Sequence, residues 1–151
     1  MKRQKLIITD SLEDATFLGI LSALKAYQLA WLINQNTTLK LTKVADSHLE
    51  IPGHTAQCTA HFLFKTENCT YRLIQNRVVA REEDGASYLI PSLKHFDFFF
   101  AVKDFTKTFD THEFCSALRA TKRIAYIVHI DLAICKNRAR QDAWILSAIM
   151  N

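Results

Sequence analysis

Glycine and proline are scarce in this chain, at three and two of 151 residues, so few places let the backbone turn sharply without help from side chains. That scarcity excludes collagen-like, linker-like and low-complexity architectures, and no internal repeat replaces them. No run reaches the roughly 18 to 20 apolar residues that a membrane span needs. The four cysteines, Cys58, Cys69, Cys115 and Cys135, form no Cys-x-x-Cys pair, which removes the zinc-knuckle and dithiol redox signatures. Gly-rich phosphate loops and the Gly-x-Ser-x-Gly elbow are absent too, so the common nucleotide and hydrolase motifs are missing.

What the chain does have is apolar substance. A hydrophobic fraction of 49% and a charged fraction of 23% over 151 residues suit one globular domain, residues 1–151, with a sizeable core. The opening Met1-Lys-Arg-Gln-Lys-Leu-Ile-Ile-Thr-Asp10 holds only three apolar residues before Thr9, too few for a signal-peptide core. The expectation is a cytoplasmic protein with no membrane association, whose cysteines are small core hydrophobes. The net charge of +4 permits an acidic partner without demanding one.

The hydrophobic pattern alternates between strand and helix periods. Lys5 to Thr9 reads as an edge strand, and Ser11-Leu-Glu-Asp14 has the spacing of a capping box. Thr16 to Leu21 is rich in β-branched and aromatic residues and reads as a strand, with Ser22 capping a helix from Ala23 to about Gln35. That helix is apolar nearly all round, with Lys25, Gln28 and Gln35 as a narrow wet stripe, and should pack on a sheet. Leu39 to Val44 alternates as a strand with one wet face, and Ala45 to Gln57 reads as a loop. Cys58 to Phe64 and Tyr71 to Val79 form an expected hairpin around Glu67-Asn68.

Ser87 to Ile90 and Phe96 to Lys103 read as two further strands broken at Pro91, which cannot donate to a ladder. Asp110-Thr-His-Glu113 opens a helix with Phe114, Ala117, Leu118 and Thr121 on one face. Ile124 to Asp131 fits either more helix or a last strand, and Arg138 to Met150 is weakly helical. The sum is an α+β fold: a mainly antiparallel β-sheet with helices packed on one face.

Four constellations carry candidate chemistry. The alternation from Phe96 to Lys103 places Phe96, Phe98, Phe100 and Val102 on one strand face, which suits core packing and lacks the basic consensus of RNA-recognition sheets. Asp97, set among phenylalanines, needs water, a backbone donor or a cation such as Lys94, His95 or Lys103. The six histidines show no ligand spacing, and Cys58-x-x-His61 is half a metal site, so neither metal nor cofactor is expected. Arg119, Lys122 and Arg123, followed by Lys136, Arg138 and Arg140, form a candidate basic surface for RNA or an acidic protein, or else a solvated helix end.

Ile90-Pro-Ser-Leu-Lys-His-Phe-Asp-Phe98 resembles the signature of the IPExxxVDY family of small proteins from Bacteroidetes. Ile90, Pro91, Asp97 and their spacing match, whereas Ser92, Phe96 and Phe98 depart from it. Tyr27-Gln-Leu-Ala-Trp-Leu-Ile-Asn34, preceded by Gly19-Ile-Leu-Ser22, resembles that family's Tyr-Arg-Leu-Ala-aromatic-Leu-Leu-Asn helix. Departures fall on polar positions, at Leu21, Lys25, Ala26 and Gln28, so the apolar framework is kept while chemistry is lost. The family has no assigned activity, and the resemblance implies a fold and a bacterial host rather than a reaction.

The expected function is therefore a cytoplasmic, non-enzymatic interaction or accessory domain, with a protein partner or a second copy of itself. The alternatives are an RNA- or acidic-protein-binding module using the basic residues from Arg119 to Arg140, and an enzyme with Asp97 and His95 as an acid–base pair.

Overall fold

The computed structural model describes residues 15–44, 47–49, 57–78 and 87–131. The segments Lys5 to Thr9, Ser11 to Asp14 and Arg138 to Met150 lie outside them. Among these described residues, two helices and ten strands follow in the order β1 (Ala15–Leu21), α1 (Ala26–Asn36), β2 (Thr42–Lys43), β3 (Ser47–Leu49), β4 (Gln57–Thr59), β5 (His61–Lys65), β6 (Cys69–Gln75), β7 (Arg77–Val78), β8 (Ser87–Tyr88), a 3₁₀ turn at Pro91–Leu93, β9 (Phe98–Asp104), α2 (Thr111–Ala120) and β10 (Tyr126–His129). Six strands form one antiparallel sheet in the order β10-β1-β9-β6-β5-β2. The α+β class with a mainly antiparallel sheet is thus the observed architecture.

Both helices cover the same face. Leu29, Ala30, Leu32 and Ile33 of α1 and Phe114, Cys115 and Leu118 of α2 join Leu18, Ile20, Leu73, Phe98, Phe100 and Val102 in one buried cluster. The opposite face of the central strands is also dry. Phe17, Ile74, Phe99 and Ala101 pack there against Leu89, Ile90, Leu93 and Phe96. A strand buried on both sides has no polar alternation to show, which explains the run Phe98-Phe-Phe-Ala-Val102 in β9.

The chain from Leu89 to Phe96 is the cover of this second face, and one side chain holds it in place. Asn76, fully buried, directly follows β6. Its Nδ2 donates to the carbonyls of Leu93 (3.0 Å) and Phe96 (2.9 Å), and its Oδ1 accepts from the Ile90 amide (2.9 Å). Its backbone adds a donation to Asp97 O (2.8 Å) and an acceptance from Leu89 N (2.6 Å). Gly19 completes the fit, because a Cβ built there would lie 2.7 Å from the Phe96 ring.

Several elements differ from the pattern-based expectation, each for a physical reason. The hairpin is real as β5 and β6, but Cys58 belongs to β4, which pairs with β3 in a separate two-stranded sheet. Ser47 to Leu49 is accordingly strand within the expected loop. Tyr71 to Val79 breaks at Asn76, whose hydrogen bonds are spent on the 89–97 segment, and β7 pairs with β8 instead.

Only Ser87 and Tyr88 of the 87–90 strand pair, since Leu89 and Ile90 turn inward as core. Phe96 precedes β9 and sits in the cluster opposite Phe98, so the two do not share a face. The first helix starts at Ala26 rather than Ala23. Ser22 accepts from Leu24 N (3.2 Å), while Gln28 Oε1 takes the Lys25 amide (2.9 Å). Leu39 to Val44 narrows to β2 because Asn34 pairs with the Leu41 backbone through both amide atoms, at 2.8 and 3.0 Å. Residues 126–129 are strand, settling the open choice over Ile124 to Asp131.

Removing the Asn76 side chain should be among the costliest single changes. Asn76→Ala strands three buried backbone partners, each worth about 1–3 kcal/mol when unsatisfied, so urea denaturation should show a loss of about 3 kcal/mol or more. Asn76→Asp cannot donate to two carbonyls and should not restore it.

Candidate functional site

Of the basic residues, Arg119 lies in the last turn of α2, whereas Lys122 and Arg123 follow its end at Ala120, so the three are not neighbours on one helix. Thr121 caps that end by donating its hydroxyl to Leu118 O (2.6 Å) and accepting from Arg123 N (3.3 Å). Lys122 takes a left-handed conformation, with φ of 59°, which turns the chain toward β10. Arg119 is partly committed, donating through Nη2 to Ile127 O (3.0 Å). Arg123 is exposed, and its backbone carbonyl accepts from the Ser22 hydroxyl (3.1 Å). Lys136, Arg138 and Arg140 lie outside the described residues.

Beside Arg123 the structure shows a feature that the pattern reading missed. Tyr27 and Trp31, one turn apart on α1, are 61% and 62% exposed. With Leu24, Gln28, Leu32 and Arg123 they line a largely apolar cleft of about 390 Å³. The helix, apolar nearly all round, was expected to pack on a sheet with only a narrow wet stripe; it does pack there, but of its residues Leu29, Ala30, Leu32 and Ile33 alone are buried. The signal was available, because Trp31 stands three residues after Gln28 and four before Gln35, which places it with the polar stripe.

A second cleft, of about 540 Å³, opens between the end of α1 and the start of α2. Asn36, Thr37, Thr108, Asp110 and Glu113 form its polar lining, and Tyr71, Phe109 and Phe114 its aromatic part. Asp110 caps α2, accepting from Glu113 N (3.0 Å), as the sequence spacing predicts. The loop leading to it is shaped by Asp104, which is buried. Asp104 Oδ1 accepts from the Thr106 amide (3.0 Å) and hydroxyl (2.7 Å), and Oδ2 from the amides of Thr108 (2.6 Å) and Phe109 (2.7 Å). Burial alone would raise this carboxyl's pKa, but the Thr106 hydroxyl and the three amides outweigh it and hold it far below the usual carboxylate range.

Asp97, the carboxylate singled out in the Pro91 segment, has a comparable role on a smaller scale. Its Oδ2 accepts from the Ser22 amide (3.0 Å), and its own amide donates to Ile20 O (2.9 Å). The exposed His95 lies with its ring centroid 4.1 Å from that of Phe96, while Lys103 sits 5.4 Å above the Phe105 ring. Neither His95 nor Asp97 lines either cleft.

His61 and Arg72 meet on the second sheet face, with Arg72 Nη1 3.2 Å from His61 Nε2. Because a guanidinium can only donate, Nε2 must accept and the ring is neutral. Burial, reinforced by the nearby Arg72 charge, lowers the His61 pKa to about 4. Arg72 Nε is buried with no hydrogen-bond partner among the described residues. Burial likewise pushes the Cys69 and Cys115 thiols up, so neither is an activated nucleophile. Among the described residues no group of three His, Cys, Asp or Glu side chains is placed to hold a metal ion, and no helix is long and apolar enough to cross a membrane.

Comparison with protein-family models and with curated proteins finds no match to this chain.

Two of the buried titratable groups, His61 and Asp104, predict separate pH windows. His61 is protonated in the unfolded chain below pH 6.5 but in the folded chain only below about 4, so stability should fall as the pH drops through that interval. Asp104, with its folded pKa depressed, contributes fully above its unfolded value of 3.8 and loses that contribution below it. Urea midpoints measured against pH should show both declines, with His61→Gln flattening the first and Asp104→Asn the second.

Proposed function

We propose that this chain is a non-enzymatic interaction domain whose docking surface is the outer face of α1. The observation that carries this reading is the pair Tyr27 and Trp31, more than half exposed on either side of an apolar cleft with Arg123 at its edge. Tyr, Trp and Arg are the residue types that most often anchor protein interfaces. What sets Tyr27 and Trp31 apart from a single exposed aromatic such as Phe105 is that they stand one turn apart on the lining of one apolar cleft, the contiguous kind of patch that marks interaction sites. The same helix is the block in which the chain resembles the IPExxxVDY family, and a place in that family and a cytoplasmic location belong to this proposal.

Because both rings are exposed, their removal should spare the fold. Tyr27→Ala and Trp31→Ala should keep the thermal midpoint within about 2 °C of the parent, as surface changes of under about 0.5 kcal/mol do, while binding of the physiological partner weakens at least about tenfold. Co-purification from native cells at low salt, compared between parent and variants by mass, checks this. Partner recovery indifferent to both substitutions, or no partner of any kind, sinks the reading.

A second reading is binding of RNA, favoured by Arg123 lining one cleft with two exposed aromatics on which bases could stack. Its affinity for a single-stranded oligonucleotide should fall steeply with added salt and with Arg123→Glu. Titrations insensitive to both would exclude it.

A further inference from the structure

The exposed strip around α1 has opposite charges at its two ends. The start of α1 lies beside the exit of α2, where Ser22 bonds Arg123, and its end lies beside the entry of α2, where the larger cleft opens. The two helices are therefore antiparallel. Among the described residues, the cleft under Tyr27 and Trp31 has Arg123 as its one charged lining residue. The cleft at the other end is charged only through Asp110 and Glu113. Between them α1 itself, Ala-Tyr-Gln-Leu-Ala-Trp-Leu-Ile-Asn-Gln-Asn, carries no charge and extends about 16 Å at 1.5 Å per residue.

Such a strip is complementary to itself. A two-fold axis across α1 near Trp31 sets a second α1 antiparallel to the first, so the Arg123 end of each copy faces the Glu113 end of the other. The charge match occurs twice, as an isologous interface requires, and each pair of aromatics meets the other copy's apolar surface. A parallel arrangement would oppose like charges. We infer that the occupant of this face is a second copy of the chain, forming a two-fold dimer through antiparallel α1 helices. The inference rests on α1 being the docking face and adds which molecule docks there. With a short helix and two large anchors per copy, the interface is near the lower limit for specific association, about 1,000 Å² in total over both partners. The dimer is accordingly concentration-dependent.

Sedimentation velocity on the full chain at low salt, from about 1 to about 300 µM, should show the mass rising from monomer to dimer. Trp31→Ala should raise the dissociation constant at least about tenfold. Arg123→Glu and Glu113→Lys should each favour monomer, since each sets like charges together twice. Mixing these two variants in equal amounts should restore dimer. In the mixed pair the carboxylate introduced at position 123 of one copy faces the ammonium introduced at position 113 of the other, while the native Arg123 and Glu113 still meet. A monomer throughout the range, a dimer indifferent to Trp31→Ala, or a mixture that stays monomeric would overturn the inference. If the chain stays monomeric yet captures another protein in a Trp31-dependent way, the dimer is wrong and the docking face stands. If neither self-association nor capture occurs, both fall.

Discussion

Asn76 joins two parts of the chain whose apolar side chains pack together but whose backbones strand pairing does not link there. On one side are β6 and the central sheet; on the other is the glycine-free stretch from Leu89 to Asp97, which follows no regular ladder. An irregular segment laid over a sheet buries backbone amides and carbonyls that strand pairing cannot satisfy. Asn76, with a donor and an acceptor on one short side chain, satisfies three of them at once, and aspartate or leucine in its place could not. With that cover fixed, Phe17, Phe99 and Ala101 are buried on the second face, the helices bury the first, and the central strands become the dry middle of the domain.

That arrangement explains what was legible in the sequence. Elements with local periodicity could be read directly: the β-branched run at Thr16 to Leu21, the hairpin of β5 and β6, and the α2 cap at Asp110. The run from Phe98 to Val102 was legible as core, but not as core on two sides, because burial on both faces erases the alternation that would reveal it. Phe96 was misplaced for a related reason. Period-two counting assumes the strand has begun, whereas the chain is still turning under the Asn76 amide at that position. Nothing local distinguishes Asn76 from any other polar residue in an apolar stretch; its importance lies in carbonyls 17 and 20 residues away.

The candidate surface was half legible. Arg119, Lys122 and Arg123 would be helix neighbours only in a longer helix; the helix stops at Ala120 and Lys122 is left-handed, so helical spacing does not relate them. Tyr27 and Trp31 were hidden by their apolarity, which pattern reading assigns to the core even when their positions fall with glutamines. Asp104 was overlooked beside Asp97, although it is the more buried of the two and makes more hydrogen bonds. Its partners lie within five residues, so the sequence Asp104-Phe-Thr-Lys-Thr-Phe109 held the signal in its threonines.

The Pro91 segment and the α1 surface are physically one system. Asn76 fixes the carbonyl of Phe96 and accepts the chain's return at Leu89; Asp97 follows at once and accepts the Ser22 amide. Ser22 in turn holds Leu24 N with the hydroxyl that it donates to Arg123 O. A continuous path of hydrogen bonds thus runs from the centre of the second core to both walls of the cleft under Tyr27 and Trp31. Asp97 belongs to that path as a positioning group, because its oxygen is directed at the backbone amide that precedes α1. Of the polar residues between Ile90 and Phe98, Asp97 is the one on this path, and the cleft it leads to is lined from α1 and the exit of α2. That path fixes the backbone at Leu24 and Arg123, two residues that line the cleft; under the proposed docking role, such pre-organisation lowers the entropy lost on binding.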